Sequence, residues 1–237
     1  MTPFATNIQS MFSSIAPKYD LLNTVLSLGI DRYWRKIAVD ELHFEKEGWI
    51  LDVATGTADV ALEVALRRPK TIKVFGADFS LTMLQLGEKK ISQKSLNEKV
   101  NLGQADGEML PCLNNSFDGV IVAFGIRNFS NLGIGLSEMW RVLKPEKKMV
   151  VLEFSIPKFK IFRLIYILYF NYLLPFVGKI ISGHEFAYQY LPESVSRFPS
   201  GDEMVQLIEK AGFKEVKCIP LTFGIASIYT GFKNGKI

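Results

Sequence analysis

The sequence predicts an α/β fold built on a doubly wound, mostly parallel seven-stranded sheet with helices on both faces. Three observations predict it. Runs of strand length rich in apolar residues alternate with helical patterns from residue 49 onward. Residues 117–124 are largely apolar on both alternating sets, as in a strand buried on both faces. The chain has 237 residues, 48% of them hydrophobic, enough for one large core, so a single domain over residues 1–237 is expected.

The first strand is read at residues 49–54, followed by the turn Thr55-Gly56-Thr57 and a helix through residues 60–68 that stops at Pro69. The second strand, residues 72–78, ends in Asp78, and Ser80 is placed to cap the helix after it. A short third strand at residues 100–105 ends at Asp106-Gly107. The fourth occupies residues 117–124. A helix from about residue 134 to 143 ends before Pro145, and the fifth strand covers residues 149–154. The alternation then breaks. Residues 157–199, rich in aromatic and aliphatic side chains and broken by Pro175, Gly178, Gly183 and Pro192, are expected to form an apolar lid insertion. A helix at residues 202–211 and strands near residues 216–221 and 225–232 close the sheet. Residues 1–48 read as an N-terminal helical part.

Lys+Arg 28 against Asp+Glu 24 gives a net charge of +4, short of the basicity of a dedicated nucleic-acid binder but compatible with an anionic membrane surface. Cys112 and Cys218 lie far apart and form neither a metal-type cluster nor a disulfide framework. No metal is expected, and a reducing cytoplasm is the default compartment. No basic flank leads into an apolar core at the N-terminus, so no signal peptide is expected. The apolar run at residues 161–181 has an uncharged interior only over residues 164–178, interrupted by Asn171 and Pro175. A spanning helix needs roughly 20 apolar residues, so this segment reads as soluble or interfacial.

Open α/β sheets bind ligands outside the carboxyl ends of their strands. The first such end is Asp52-Val-Ala-Thr-Gly-Thr-Ala-Asp59. Gly56 lets the backbone pass close to a ligand, and Thr55 and Thr57 offer hydroxyls. Asp78 is placed to accept from a ribose diol, and Asp106 from an adenine amino group. A nicotinamide cofactor would want G-x-G-x-x-G and a helix start free for a pyrophosphate. Ala54 and Asp59 replace two of those glycines, and Asp59 would repel a phosphate. Acids at Asp52 and Asp59 instead suit a cationic cofactor such as S-adenosylmethionine. Against this stand plainer roles: Asp59 as a helix cap, Asp52 as a turn former and Asp106-Gly107 as an ordinary turn.

Longer motifs add specificity. Tyr19-Asp20-x-x-Asn23-x-x-x-Ser27, continuing to Trp34, and Arg141-Val-Leu-Lys-Pro145 with Glu153-Phe-Ser155 both occur. So do Phe124-Gly-Ile-Arg-Asn128 and Tyr188-Gln-Tyr-Leu-Pro-Glu-Ser194. Over nearly its whole length the chain resembles the ubiquinone/menaquinone C-methyltransferases. It departs from that family at Asp31, where His is usual, and at Glu146-Lys147, where Gly-Gly is usual. The resemblance implies a class I, Rossmann-like methyltransferase fold and methyl transfer from S-adenosylmethionine to a ring carbon of a polyprenylated quinol. The expected reaction is demethylmenaquinol to menaquinol, with the ubiquinone precursor, or both, as the alternative.

By matching motifs, Thr57, Asp78, Asp106 and Gly107 become cofactor contacts beside Asp52 and Gly56. Ala123 stands where the family often has Ser, leaving a backbone contact. Arg127 and Asn128 follow the fourth strand on the same side. Arg127 is always charged, so it is expected to stabilise a quinol oxyanion or orient a water that takes the hydroxyl proton; the plainer reading is a surface ion pair. Tyr188, Tyr190 and Glu193 are expected at the substrate mouth, and His184 is expected to be structural. Lys158, Lys160, Arg163 and Lys179 flank the apolar run, which suits reversible contact with anionic head groups at the inner face of the membrane; a buried helix is the commoner fate of such a run. A nicotinamide oxidoreductase, a cofactor-binding protein without catalysis and an RNA methyltransferase are the competing functions. The acidic first turn, the Arg127-Asn128 pair and the lack of an appended basic domain count against them in turn.

Overall fold

The computed structural model describes residues 11–42, 47–169 and 185–235. The expected sheet forms. Its strands are β1 (Gly48–Val53), β2 (Ile72–Asp78), β3 (Val100–Gln104), β4 (Phe117–Ala123), β5 (Leu143–Phe154), β6 (Phe213–Leu221) and β7 (Ala226–Lys233). They lie in the order β3-β2-β1-β4-β5-β7-β6. All neighbours are parallel except β7, which runs antiparallel between β5 and β6.

Strand pleat divides the core in two, because successive side chains point to opposite faces. Ile50, Val74, Ile121, Val150 and Leu152 face one way. They meet α2 (Ile30–Glu41), α3 (Asp59–Arg67) and α4 (Leu81–Gln93). Leu51, Val53, Val120, Val122, Met149 and Val151 face the other way, against α5 (Leu132–Val142) and α8 (Asp202–Lys210). Apolar burial on both faces explains why these strands read as continuous hydrophobic runs. Ser80 caps α4 as expected, its Oγ accepting from the Met83 N–H.

The helix before β5 ends at Val142, and β5 starts at Leu143, earlier than the expected residue 149. Phe117 pairs with Leu143 and Gly119 with Lys148 across an irregularity. Pro145 and the left-handed Glu146 (φ 63°) are absorbed there, at the strand's ragged start.

Ahead of β1, α1 (Tyr19–Leu26) and α2 are joined through Leu28 and Gly29, both at positive φ. Asp31, the departure from the family's histidine, accepts from Ser27 Oγ at 2.6 Å and pairs with Arg35 at 2.7 Å. It is a buried organiser of the α1–α2 corner. From the region 157–199 the structure describes α6 (Lys160–Leu168) and α7 (Glu185–Arg197). His43, His184 and most of the apolar run 164–178 lie outside the described residues. Among those described, no helix is long and apolar enough to cross a membrane.

Candidate active site

A cleft opens beyond the carboxyl ends of β1, β2 and β4, where two segments diverge from the sheet. Its walls include Ala54, Asp78, Met83, Asp106, Gly107, Glu108, Ala123, Phe124 and Asn128, with Phe12 and Tyr19 brought in from the N-terminal part. Among the described residues, three carboxylates and no Lys, Arg or His line it. The field there favours a cation and opposes a phosphate.

The turn after β1 sets the floor of this region. Ala54, Gly56 and Ala58 take left-handed conformations (φ 53°, 57° and 65°), which only glycine adopts without strain. Asp52, expected against the cofactor, does not line the cleft. It is buried beneath the turn, accepting from Thr55 Oγ1 at 2.5 Å and from the Ala61 N–H at 3.1 Å. Ala61 N–H is one of the unpaired donors in the first turn of α3, so the acid serves the turn and the helix start. Burial pushes the Asp52 carboxyl up to about 7, against the pull of those two donors.

Thr57 is also turned away from the cleft. Its hydroxyl donates to Asp20 at 2.6 Å and accepts from Lys90 Nζ at 3.1 Å. Lys90 reaches Asp20 at 2.8 Å and bonds Asp59 as well, while Arg35 meets Asp59 at 3.2 Å. Asp59 is thereby neutralised by two cations rather than left to face a ligand. Of the remaining expected contacts, Asp78, Asp106, Gly107 and Ala123 line the cleft, while Gly56 does not and reaches it through Asp78. Gly56 N–H donates to Asp78 Oδ2, and Ser80 N–H to Asp78 Oδ1, both at 2.8 Å. Burial pushes the Asp78 carboxyl up, against these backbone donors. Asp106 Oδ1 accepts from the Glu108 N–H at 2.9 Å. At Gly107 a Cβ would lie 2.5 Å from the Phe129 ring, so the backbone there passes too close to an aromatic wall for any side chain. Ala123 lines the cleft with its neighbour Phe124, itself left-handed at φ 56°.

Arg127 and Asn128 sit on a 3₁₀ turn (Ile126–Asn128) just past β4. The Arg127 side chain is only 6% exposed. Its Nη1 donates to the Phe124 carbonyl at 2.5 Å and to Glu153 Oε1 at 2.8 Å. Its guanidinium lies 5.6 Å from the Phe154 ring centre. Nε is buried with no hydrogen-bond partner among the described residues. Arg127 lines a second cavity with Tyr190, Glu193 and Arg197, and Phe129 and Ser130 border both spaces. Tyr190 OH donates to Asn128 Oδ1 at 2.8 Å. Glu193 is engaged by Arg197 at 2.5 Å, a mostly exposed pair one helical turn apart. The Tyr188 side chain lies outside the described residues. Burial pushes the Tyr190 and Tyr19 hydroxyls up.

Sequence reasoning missed Tyr19 and Glu153 as site residues. Both stood inside quoted motifs, Tyr19 at the head of the first and Glu153 in the second. What hid them was distance in sequence: Glu153 meets an arginine 26 positions earlier.

The Asp52 carboxyl holds its proton more tightly folded than unfolded, where 3.8 is its ordinary value. Its contribution to stability is therefore full at low pH and is lost as pH rises through about 7. Asp52→Asn cannot titrate, so its stability relative to the parent should rise between pH 4.5 and 7.5, read from urea midpoints. A difference that stays flat across that range would assign the slope to Asp78 and Glu153 instead.

Residues 3–233 match the model of the ubiE/COQ5 methyltransferase family. The ubiquinone/menaquinone biosynthesis C-methyltransferase UbiE of Geotalea daltonii is 47% identical over 233 residues, covering 98% of this chain and 99% of that protein. The demethylmenaquinone methyltransferase of Deinococcus radiodurans is 45% identical over 226 residues, covering 95% and 92%. Among solved structures, the [4+2]-cyclase SpnF shares the fold at a TM-score of 0.72 and 15% identity, covering 99% of this chain and 98% of that one. A SAM-dependent methyltransferase from Aquifex aeolicus does so at 0.62 and 17%, covering 83% and 88%. With a family match across nearly the whole length and relatives well above 40% identity, the chain belongs to the ubiE/COQ5 methyltransferase family.

Proposed function

We propose that this chain transfers a methyl group from S-adenosylmethionine to a ring carbon of a polyprenylated quinol, converting demethylmenaquinol to menaquinol. One observation carries the reading: a cleft lined by acids and, among the described residues, by no cationic side chain adjoins a buried arginine whose Nε has no hydrogen-bond partner among those residues.

The lining residues fit the cofactor. Asp78 keeps lone pairs for ribose hydroxyls after accepting from Gly56 and Ser80. Asp106 is suited to an amino group, and the surplus of acid to a sulfonium and an ammonium. When bound, the cofactor supplies an electrophilic methyl group. Asp52 and Thr57 act behind this surface, holding its shape.

Asp78→Ala removes hydrogen bonds to a charged acceptor worth about 1.5–3 kcal/mol. At 1.4 kcal/mol per decade, affinity for S-adenosylhomocysteine should fall about 10- to 150-fold, read by titration calorimetry. Unchanged affinity in a folded variant would remove Asp78 from the cofactor site.

The chain's own groups act on the quinol. A ring carbon beside a phenolate is a better nucleophile than one beside a phenol. Arg127 stays charged at working pH, and in a water-poor pocket it favours the ionised oxygen. Asn128 Oδ1 is taken by Tyr190, which leaves its amide N–H donors for the same oxygen. Arg127→Ala should lower single-turnover methylation of a short-chain reduced demethylmenaquinone by about 10²–10³-fold, the usual cost of one oxyanion donor. Arg127→Lys keeps the charge but loses the planar fork and should also be slow, with cofactor affinity unchanged in both. Full turnover in both variants would make the arginine structural. Transfer only to a reduced benzoquinone would reassign the ring to the ubiquinone precursor.

The polyprenyl tail draws the protein to the inner face of a membrane. Ile161, Leu164 and Leu168 on α6 are more than half exposed. Phe223, 63% exposed, stacks on Phe162 at 4.1 Å. Lys158, Lys160 and Arg163 are exposed beside them, where each basic group near an anionic surface contributes about 1 kcal/mol. Vesicles containing phosphatidylglycerol should carry the protein upward in a flotation gradient at low salt and less so at high salt, through screening. Absence of flotation at both salt levels would rule out this contact.

A further inference from the structure

Glu153 is fully buried near the end of β5, and its carboxylate reaches Arg127. Its Oε1 accepts from Arg127 Nη1 at 2.8 Å and from the Phe154 N–H at 2.9 Å. Its Oε2 accepts the Arg127 backbone N–H at 3.4 Å. One carboxylate thus grips the arginine by its main chain and by one corner of its guanidinium. The Phe124 carbonyl takes the same corner, and the Phe154 ring lies beside the plane. The opposite edge, bearing Nε, is buried without a hydrogen-bond partner among the described residues.

Stability alone does not account for this arrangement. Replacing a buried ion pair by packed apolar side chains is often neutral or stabilising, because desolvation offsets the attraction. What the pair supplies is a fixed direction. We propose that Glu153 is the positioning residue for Arg127, holding the Nη1 corner so that the Nε edge faces the quinol oxygen. Glu153 lines neither cavity and acts only through the arginine. The proposal rests on the role given to Arg127 above.

Glutamine is the informative replacement. It matches the size of Glu153 but puts an amide N–H donor where one carboxylate oxygen stood. All three partners are N–H donors, so one of them must lose its acceptor. Glu153→Gln should lower kcat by about 10- to 100-fold, as expected when a reacting contact shifts by an ångström or less. KM for the reduced quinone should change far less, and affinity for S-adenosylhomocysteine should not move.

The decisive measurement is a double-mutant cycle on kcat with Arg127→Ala. If Glu153 acts through Arg127, adding Glu153→Gln to Arg127→Ala produces no further loss. Additive losses, or parental turnover in Glu153→Gln alone, would overturn the positioning role while leaving that of Arg127 intact. Full turnover in Arg127→Ala would instead overturn the arginine's role and this proposal with it. Should Glu153→Gln be too unstable to assay, Glu153→Asp, which keeps the charge one methylene short, takes its place with the same non-additivity expected.

Discussion

Asp52 holds the turn after β1 from beneath, and much of the ligand side depends on that hold. Without its carboxyl, the Thr55 hydroxyl and the Ala61 N–H would be buried with no acceptor, at about 1–3 kcal/mol each. The turn also spends strain on left-handed Ala54 and Ala58, conformations that persist only where surrounding contacts over-determine them. Its reward is the aim of the Gly56 N–H at Asp78. Asp78 in turn accepts from Ser80, whose side chain starts α4. A single buried acid therefore sets the geometry of two strand ends and two helix starts.

The N-terminal part belongs to the same construction. Asp20 on α1 meets Thr57 in the β1 turn and Lys90 on α4, and Arg35 on α2 meets Asp59. These charges tie the helices that carry Tyr19 toward the cleft to the elements that form its floor. Trp34 adds a link across the molecule, its Nε1 donating to Thr222 at 2.8 Å. The acidity of the β1 turn, which as sequence suggested a cationic ligand at Asp59, is partly used up in this internal docking. The carboxylates that do face the cleft are Asp78, Asp106 and Glu108.

The fold was legible because its signal is local. Apolar runs such as 117–124 and 149–154 are strands buried on both faces, and no tertiary knowledge is needed to see them. The start of β5 was not legible, since Pro145 and the charged Glu146 and Lys147 look like a loop, and only the pairing of Leu143 with Phe117 makes them strand. In the site, acids at strand ends were found because strand ends were found. Whether such an acid faces the cleft, as Asp78 does, or dives beneath the turn, as Asp52 does, depends on side-chain direction, which the sequence does not encode locally. The link from Glu153 to Arg127 is harder still, since it joins two strand ends that become neighbours only in the sheet.

The antiparallel placement of β7 bears on how the chain reaches this state. β7 is an interior strand, flanked by β5 and β6, yet it follows both of them in the chain. Phe154 at the end of β5 must wait for Ala226, its partner across the ladder. Until then β5 presents an open row of backbone donors and acceptors, the kind of edge that recruits other chains. Pairing over such a span is slow to close. The order of the chain therefore leaves the outer edge of β5, the strand that carries Glu153, uncovered until β7 docks, and mispairing of that edge is a hazard until then.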